Sequence, residues 1–386
     1  MNESMKWFRG LQKRVHGLPE SGDWACCVGN GSQELIYRAF QVFTDLGDPV
    51  CLETHVPLFS MPIIFLEKLL TGVVGFLRAD GHHLIEVNSD IDGLDPSELE
   101  RILCSWPEKH RLPRVLYTVP TGSNPTGRSS TESRKAEILR LAQRFNFMIF
   151  EDDAYYFINF EEAPSKRARS YLALEREVNG ETGRVIRFDS LSKIVSSGMR
   201  LGFLTGPLPA VQKVIKITEN IKYAENHVFS DRFTAFVLTF PVSLQPASTT
   251  QFLALALFRH WGYPGFLKHC AKAANTYRQK RDAFAAAAER HLKEKATWDI
   301  PTAGMFFWLT LRLPPCMDSF DLLSTKGLEN GVLAIPGVAF MPNIRKTCHL
   351  RASYSLITEV EMDEACRRIA KLVDDAWGSQ LDLAKT

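Results

Sequence analysis

The sequence lacks the features of a membrane-spanning or secreted protein. No apolar run is long and unbroken enough to cross a bilayer, since the apolar segment 57–70 is short and contains two charged residues. Residues 1–15 are polar and basic, without the apolar centre of a signal peptide. The eight cysteines include no C-x-x-C pair, and only Cys26 and Cys27 are adjacent. We therefore expect a reduced, cytoplasmic protein rather than a disulfide framework.

The charge balance gives no reason to expect a nucleic-acid partner or an acidic membrane surface. The chain has 46 basic and 44 acidic residues, a formal net charge of +2. Its hydrophobic content of 45% and charged content of 23% are usual for a soluble enzyme. A length of 386 residues suffices for two domains with a sizeable core. Internal repeats and low-complexity tracts are missing from the sequence, and no metal site is expected.

Alternating strands and helices in the middle of the chain predict an α/β fold. The predicted strands are residues 114–118, 147–150, 184–188 and 201–205, and residues 132–145 have the periodicity of an amphipathic helix. Unbroken apolar strands separated by helices indicate a mostly parallel sheet that is covered on both faces. Ligands of such sheets bind beyond the carboxyl ends of the strands. The polar residues that follow these strands are therefore the candidates for a site.

A smaller α+β unit is predicted after residue 265. Its predicted elements are a long helix over 266–296, short strands over 305–309 and 332–335, and a closing helix over 362–377. We therefore expect a large domain over residues 1–265 and a small domain over residues 266–386.

Two polar segments follow predicted strands in the first half of the chain. Segment 120–127, PTGSNPTG, has two X-Pro bonds and two glycines, which favour a tight turn around Asn124. Taken alone, it is equally compatible with a generic loop. Asp152 follows an apolar strand, and an acid there is costly unless it is paired or functional. The alternative for Asp152 is a helix N-cap.

A third segment combines hydroxyls, a lysine and an arginine after the strand 184–188. Ser190, Ser192 and Arg200 form a set that can hold a phosphate dianion. Lys193 lies among them and offers an amine for a Schiff base. The alternative is a solvated loop, which this conjunction of residues disfavours.

A fourth candidate is Arg351, which lies between apolar residues late in the chain. A planar guanidinium in such a setting suits bidentate capture of a carboxylate. The alternative is a surface arginine on a strand.

Taken in chain order, these segments resemble the fold-type I pyridoxal-phosphate aminotransferases. The chain is most similar to the kynurenine/2-aminoadipate aminotransferase and fungal aromatic aminotransferase group, from about Trp7 to about Trp377. The resemblance implies a mixed, seven-stranded type of sheet in the large domain and a smaller C-terminal domain. It also implies pyridoxal 5'-phosphate as cofactor, an amino acid and a 2-oxo acid as substrates, and a homodimer.

The resemblance also implies roles for individual residues. Lys193 matches the Schiff-base lysine, Asp152 the acid beside the pyridine nitrogen, and Tyr155 the phenol beside the 3-oxygen. The implied cofactor-binding residues are Ser32, Gln33, Asn124, Asp152, Tyr155, Ser190, Ser192, Lys193 and Arg200. The implied substrate-binding residues are Asn124, Arg351, Phe306 and Phe340. Gly31, Ser32 and Gln33 match a turn that opens a helix at the cofactor phosphate.

The sequence departs from the family pattern in three places. First, the N-terminal arm that precedes the segment like Met5–Phe8 in the family, with a tyrosine that reaches the partner's phosphate, has no counterpart in this sequence. Apolar insertions occupy residues 56–70 and 220–242. Leu70 lies where the family has an aromatic residue stacked on the cofactor, and Phe59 could replace it only if the insertion folds back. The insertions are either products of a faulty gene model or genuine loops, and we expect weak activity from the chain as written.

We expect transamination between an aromatic, kynurenine-like or 2-aminoadipate-like amino acid and a 2-oxo acid. The first alternative is another reaction on the same cofactor, such as carbon–sulfur lysis, because a fold does not fix a reaction. The effector domain of a transcription regulator is a second alternative, and it would need a DNA-binding domain ahead of Trp7. A catalytically impaired homologue is the third.

Overall fold

The structure is a computed structural model that describes residues 3–20, 22–54, 72–161, 163, 166–224, 246–315 and 317–383. The insertion 56–70, with Phe59 and Leu70, and residues 225–242 of the second insertion lie outside the described residues. Both interpretations of the insertions therefore stay predictions. No helix within the described ranges is long and apolar enough to cross a membrane.

An eight-stranded sheet forms the centre of the fold. The strand order is β1-β8-β7-β6-β5-β2-β3-β4. The strands are β1 (Trp24–Gly29), β2 (Pro49–Thr54), β3 (His83–Asp90), β4 (Gly93–Leu94), β5 (Val115–Thr118), β6 (Met148–Asp152), β7 (Val185–Ser190) and β8 (Gly202–Pro207). All neighbouring pairs from β3 to β7 are parallel, whereas β8 runs antiparallel to both β7 and β1. The seven longer strands match the expected sheet, and β4 adds a two-residue strand antiparallel to β3.

Helices cover both faces of this sheet and continue through the C-terminal part of the chain. They are α1 (Glu3–His16), α2 (Ser32–Phe43), α3 (Val73–Ala79), α4 (Pro96–Cys104), α5 (Glu132–Phe145), α6 (Tyr171–Asn179), α7 (Leu208–Ala224), α8 (Ser248–Leu292), α9 (Ser319–Leu322) and α10 (Glu359–Leu383). One apolar cluster joins α2, α3 and α7 to the sheet, and another joins α4, α5 and α6 to its opposite face. Burial on both faces explains why the central strands are uniformly apolar.

The predicted central elements are confirmed. Helix α5 has the predicted bounds, because Thr131 caps its first turn and Asn146 ends it in the left-handed conformation. Strands β5 to β8 begin one residue later than predicted, and all but β5 extend beyond the apolar run. They extend because the polar residues at their ends still pair with neighbouring strands, as in the pairing of Asp152 with Phe188.

The connection between β7 and β8 lies at the edge where the parallel strands end. Ser190, the last residue of β7, pairs with Gly202, the first residue of β8. Residues 191–201 therefore leave and re-enter the sheet at adjacent positions on one edge. The carboxyl ends of β5 and β6 reach the same edge, because both strands run parallel to β7.

A four-stranded antiparallel sheet forms the C-terminal unit. Its order is β11-β12-β10-β9, with β9 (Ala296–Trp298), β10 (Phe306–Leu311), β11 (Ile335–Pro336) and β12 (His349–Ser353). The predicted strand over 305–309 corresponds to β10. The predicted strand over 332–335 is wrong, since only Ile335 of that segment is in a strand. Pro336 has no N–H to donate to a sheet ladder, which fits the short pairing here.

The long predicted helix and the closing helix are both longer than the apolar pattern indicated. Helix α8 begins 18 residues before the predicted start at 266, and its backbone leaves helical geometry at Gly262, where φ is 58°. It ends at Leu292, so the predicted end at 296 is wrong, because Ala296 already belongs to β9. Helix α10 likewise extends beyond 362–377 at both ends. The division of the chain after residue 265 stays a prediction, and it falls just beyond the break at Gly262.

Gly202→Ala should destabilise the fold at the β1–α2 turn. A Cβ atom at Gly202 would lie 2.5 Å from the backbone nitrogen of Ser32 and 2.6 Å from the carbonyl carbon of Gly31. Because backbone atoms cannot move away cheaply, we expect a loss of about 1–3 kcal/mol in the free energy of unfolding, measured by urea denaturation.

The matched control is Gly206→Ala on the same strand. Its Cβ atom would lie 3.3 Å from a side-chain carbon of Ile186, a contact that a small shift relieves. Equal losses in the two variants would contradict the proposed tight packing of Gly202 against the turn.

Candidate active site

A cavity of about 400 Å³ opens at the edge where the parallel strands end. It collects nearly all the site residues predicted from the sequence, although they come from distant parts of the chain. The predicted residues that line it are Ser32, Gln33, Asn124, Asp152, Tyr155, Ser190, Ser192, Lys193, Arg200, Phe340 and Arg351. Phe306 does not line the cavity and lies behind Arg351 instead.

One end of the cavity is suited to an anion. Helix α2 begins there at Ser32, with Gly31 before it at φ 87° and without a side-chain hydrogen bond to cap the first turn. The side chain of Arg200 lies close by, since a Cβ atom on Gly31 would be 3.1 Å from its Nη2. Arg200 Nη1 also lies 3.5 Å from the hydroxyl of Ser192. Free amides at a helix start, together with a guanidinium and hydroxyls, can hold a phosphate group.

Consecutive acids at the end of β6 point in different directions. Asp153 and Glu151 reach the buried guanidinium of Arg187, with N–O distances of 2.7 and 3.4 Å. Asp152 lies between them in sequence, so its side chain projects the other way and lines the cavity. The strand geometry thus separates an acid available to a ligand from two acids neutralised in the core.

Of the two carboxylate oxygens of Asp152, one accepts a hydrogen bond and the other has no partner among the described residues. The hydroxyl of Tyr117 donates to Asp152 Oδ2 at 2.6 Å, whereas Oδ1 is buried without a hydrogen-bond partner among the described residues. Burial raises the pKa of Asp152 to about 6, and the hydrogen bond from Tyr117 opposes this rise. An unpaired buried carboxylate oxygen is costly, and a cationic N–H group on a ligand would satisfy it.

Lys193 is half-buried in the wall of the same cavity. Burial lowers the pKa of its amine, and the positive charges of Arg351 and Arg200 lower it further. Asp152 has the opposite, smaller effect. A lysine with a lowered pKa has a larger neutral fraction near pH 7, and the neutral amine is the nucleophilic form.

Arg351 is fixed in place without an ion pair. Its guanidinium carbon lies 4.1 Å from the ring centroid of Phe306 and 4.9 Å from that of Phe340. Nη1 donates to Asn124 Oδ1 at 2.8 Å, and Nε is buried without a partner in the part of the chain that the structure describes. Among the described residues no carboxylate lies within ion-pair distance of Arg351. Such a guanidinium is prepared to bind a carboxylate from outside the chain.

Two contacts hold the segment around Phe340 against the large sheet. Arg345 forms a buried ion pair with Glu86 of β3, with an N–O distance of 2.6 Å. Arg78 Nε, at the end of α3, donates to the carbonyl of Pro342 at 3.0 Å. The wall of the cavity that Phe340 contributes is therefore attached to β3 and to α3.

The sequence interpretation missed three polar residues of the cavity wall, Glu53, Tyr117 and Ser123. Glu53 accepts hydrogen bonds from the Thr118 hydroxyl at 2.7 Å and the Val119 amide at 3.3 Å, and burial raises its pKa to about 7. Tyr117 and Glu53 lie near the carboxyl end of a parallel strand, β5 and β2 respectively, and Ser123 lies in the segment that follows β5. A polar residue at that position in an apolar strand is the signal that could have identified Tyr117 and Glu53.

Comparison with known proteins gives consistent matches. The profile of the family described as "Aminotransferase class I and II" matches residues 75–369. "Aminotransferase tdiD" of Emericella nidulans is 61% identical over 370 residues, which cover 96% of this chain and 77% of that protein. The mitochondrial kynurenine/alpha-aminoadipate aminotransferase of Bos taurus is 34% identical over 97% of this chain and 81% of its own. Among solved structures, LysN, the alpha-aminoadipate aminotransferase of Thermus thermophilus, matches with a TM-score of 0.74 and 26% identity. The match covers 92% of this chain and 78% of the LysN chain, and LysN was crystallised with N-(5'-phosphopyridoxyl)-L-leucine.

The chain belongs to the aminotransferase class I and II family. It is a pyridoxal-phosphate-dependent aminotransferase with an amino acid and a 2-oxo acid as substrates, which confirms the predicted fold, cofactor and reaction class. Each of the relatives named above is an aminotransferase, so nothing in these matches favours carbon–sulfur lysis.

The residues present fit pyridoxal phosphate. The cavity has an end suited to an anion at the start of α2, a buried oxygen of Asp152 that has no hydrogen-bond partner among the described residues, and an amine with a lowered pKa on Lys193. Pyridoxal phosphate carries groups that are chemically complementary to these three features: a phosphate, a ring nitrogen that can be protonated, and an aldehyde. They line a single cavity, as one small molecule carrying all three groups requires.

The cofactor-free protein should show an unusually reactive Lys193. Because the pKa of Lys193 is lowered, its neutral amine should accumulate at a lower pH than that of a lysine in a model peptide. Acetylation rates measured by mass spectrometry across pH 6–11 would check this. Arg351→Gln should move the Lys193 profile back to higher pH, since it removes the largest opposing charge. A profile equal to that of the peptide, or one unaffected by Arg351→Gln, would contradict this description of the cavity.

Proposed function

We propose that this chain transfers the amino group of an aromatic, kynurenine-like or 2-aminoadipate-like amino acid to a 2-oxo acid, with Lys193 as anchor and proton carrier. The observation that carries the proposal is that Lys193, Asp152 and Arg351 line one cavity although they lie on separate elements. Their charges also interact with one another there, since both Arg351 and Asp152 shift the pKa of Lys193.

The phosphate of the cofactor would lie at the start of α2. Ser32 and Gln33 would supply backbone amides, Ser190 and Ser192 hydroxyls, and Arg200 a charge-assisted contact. In support, Arg200 makes no ion pair among the described residues and has a free approach to the cavity.

Asp152, Tyr155 and Asn124 would orient the pyridine ring. Asp152 would face the ring nitrogen through its unpaired Oδ1, and a carboxylate there keeps that nitrogen protonated. The Tyr155 phenol and the Asn124 amide would contact the 3-oxygen. When bound, the cofactor supplies an electron-withdrawing ring that stabilises negative charge at the substrate α-carbon.

Lys193 would act twice. It would hold the cofactor aldehyde in the resting enzyme, and its released amine would then remove the proton from the substrate α-carbon and return one to C4'. The lowered pKa of Lys193 supports the base role, since the neutral amine must be present at the pH of the reaction.

Arg351 would bind the α-carboxylate of the substrate, with Asn124 beside it. The two phenyl rings of Phe306 and Phe340 fix the guanidinium, so little side-chain freedom is lost when a carboxylate binds. Phe340 also presents an apolar ring to the cavity, which suits an apolar or aromatic substrate side chain. The name of the Bos taurus relative, a kynurenine/alpha-aminoadipate aminotransferase, supports the same substrate classes.

We further propose a cytoplasmic homodimer. The phosphate end of the cavity carries two exposed side chains, Gln33 and Arg200, and a partner subunit could cover them as the family resemblance implies. The described cysteines, seven of the eight in the chain, are all free thiols, in keeping with a reducing compartment.

The first test of the function is to trap the cofactor and measure amino transfer in the same preparations. Borohydride should fix pyridoxal phosphate on the peptide that contains Lys193, and the protein should transfer amino groups from kynurenine, phenylalanine or 2-aminoadipate to 2-oxoglutarate. Lys193→Ala should lose trapping at this peptide and at least about a hundredfold in turnover. The control is Lys213→Ala, which alters an exposed lysine of α7. Trapping on a different lysine would refute the assignment.

Arg351→Gln should weaken the binding of the amino acid but not that of the cofactor. Loss of a charge-assisted pair costs about 1.5–3 kcal/mol, so KM for the amino acid should rise about tenfold or more. Cofactor affinity, measured by fluorescence titration, should change little. Arg290→Gln is the control, since Arg290 is an exposed residue paired with Asp363. An unchanged KM in Arg351→Gln would remove this residue from the substrate site.

A further inference from the structure

Tyr117 is a polar residue of the cavity wall that the catalytic proposal above leaves unused. It is the third residue of β5, its side chain lines the cavity, and its hydroxyl lies 2.6 Å from Asp152 Oδ2. The distance is at the short end of O–H···O bonds, as expected when the acceptor is charged. The contact joins two neighbouring strands at the point where both reach the cavity.

The hydrogen bond determines which oxygen of Asp152 faces a ligand. Oδ2 is occupied by Tyr117, and Oδ1 has no partner among the described residues. Because Tyr117 occupies Oδ2, Oδ1 is the oxygen left to pair with a group on a ligand. Tyr117 keeps its proton, because burial and the adjacent carboxylate raise its pKa far above the ordinary tyrosine value, and it therefore donates to the ionised Asp152.

The surroundings of Asp152 make this hydrogen bond important. Burial and the nearby acids Asp153 and Asp189 all disfavour a charge on Asp152. The hydroxyl of Tyr117 has the largest effect in the opposite direction, ahead of the charge on Lys193. Arg187 neutralises Asp153 and Asp189 from the other side, at N–O distances of 2.7 and 2.9 Å.

We propose that Tyr117 is a positioning residue for transamination, whose hydroxyl keeps Asp152 ionised and directs Oδ1 at the ring nitrogen of the cofactor. This inference rests on the proposed role of Asp152. The simpler alternative is that Tyr117 only fills space, since its ring packs on the apolar cluster around Phe40. The two interpretations differ in what happens when the hydroxyl alone is removed.

Tyr117→Phe separates them when the affinity for two cofactors is compared. The probes are pyridoxal phosphate and its 1-deaza analogue, in which a CH group replaces the ring nitrogen. A protonated ring nitrogen requires a charged Asp152, whereas the analogue allows the neutral acid. A hydrogen bond to a charged group is stronger than one to a neutral group, so Tyr117→Phe should lower the preference for pyridoxal phosphate about tenfold.

The matched control is Tyr171→Phe. Tyr171 is also buried, and its hydroxyl has no hydrogen-bond partner among the described residues. This variant should keep the wild-type preference for pyridoxal phosphate over the 1-deaza analogue. Asp152→Asn should abolish the preference and marks the full size of the effect.

Equilibrium titration of the cofactor-free proteins gives distinct outcomes. A reduced preference in Tyr117→Phe alone supports the proposal. Equal weakening of both cofactors, or an unchanged preference, overturns it and leaves a packing role. If the wild type and Asp152→Asn show the same preference, Asp152 does not face the ring nitrogen, and the proposed function of Asp152 fails together with this inference.

Discussion

The buried guanidinium of Arg187 is the constraint on which the candidate site depends. It lies in strand β7, fully buried, and contacts three carboxylates, those of Glu151, Asp153 and Asp189. Without a cation, acids at the ends of two central strands would carry a large desolvation cost. With it, β6 and β7 can end in charged residues, and Asp152 can turn to the opposite side. Helix α1 joins this network through Gln12, which donates to Asp189 at 3.1 Å. The first helix and the cavity edge are thereby connected through the core.

The site is assembled from both sheets of the protein. The large sheet contributes its strand ends and the connection between β7 and β8, whereas Arg351 comes from β12 of the small sheet. The contacts of Arg345 with Glu86 and of Arg351 with Asn124 bridge the two. Each of these is a short polar contact across a large sequence separation, so the geometry of the cavity depends on tertiary packing rather than on any local segment.

Much of this arrangement could be predicted from the sequence, for identifiable reasons. Strands β5 to β8 have continuous apolar runs and α5 has regular helical periodicity, and in these cases local pattern and burial agree. The strand expected over 332–335 was wrong because the amide of Val332 still donates to the carbonyl of Gly327 at the end of the preceding helical turn. The extent of α8 was underestimated because Gly262 and Pro264 interrupt the pattern. Lys193 was predicted as a site residue from the hydroxyls and arginine around it, and Arg351 from its apolar neighbours; both line the cavity. Tyr117 was missed because its partner is 35 residues away and meets it only through the register of β5 and β6.

The placement of Arg351 between two phenyl rings has a consequence for the handedness of the substrate. On the proposed roles, the rings and Asn124 fix the plane in which a carboxylate can lie, and Lys193 fixes the side from which a proton can leave. An amino acid and its mirror image can match two of three requirements, namely the position of the carboxylate, the position of the side chain and the side from which the proton leaves, but not all three. Selection of one enantiomer would then depend on the rings of Phe306 and Phe340, which hold the guanidinium of Arg351, and on the packing of the small sheet against the large one.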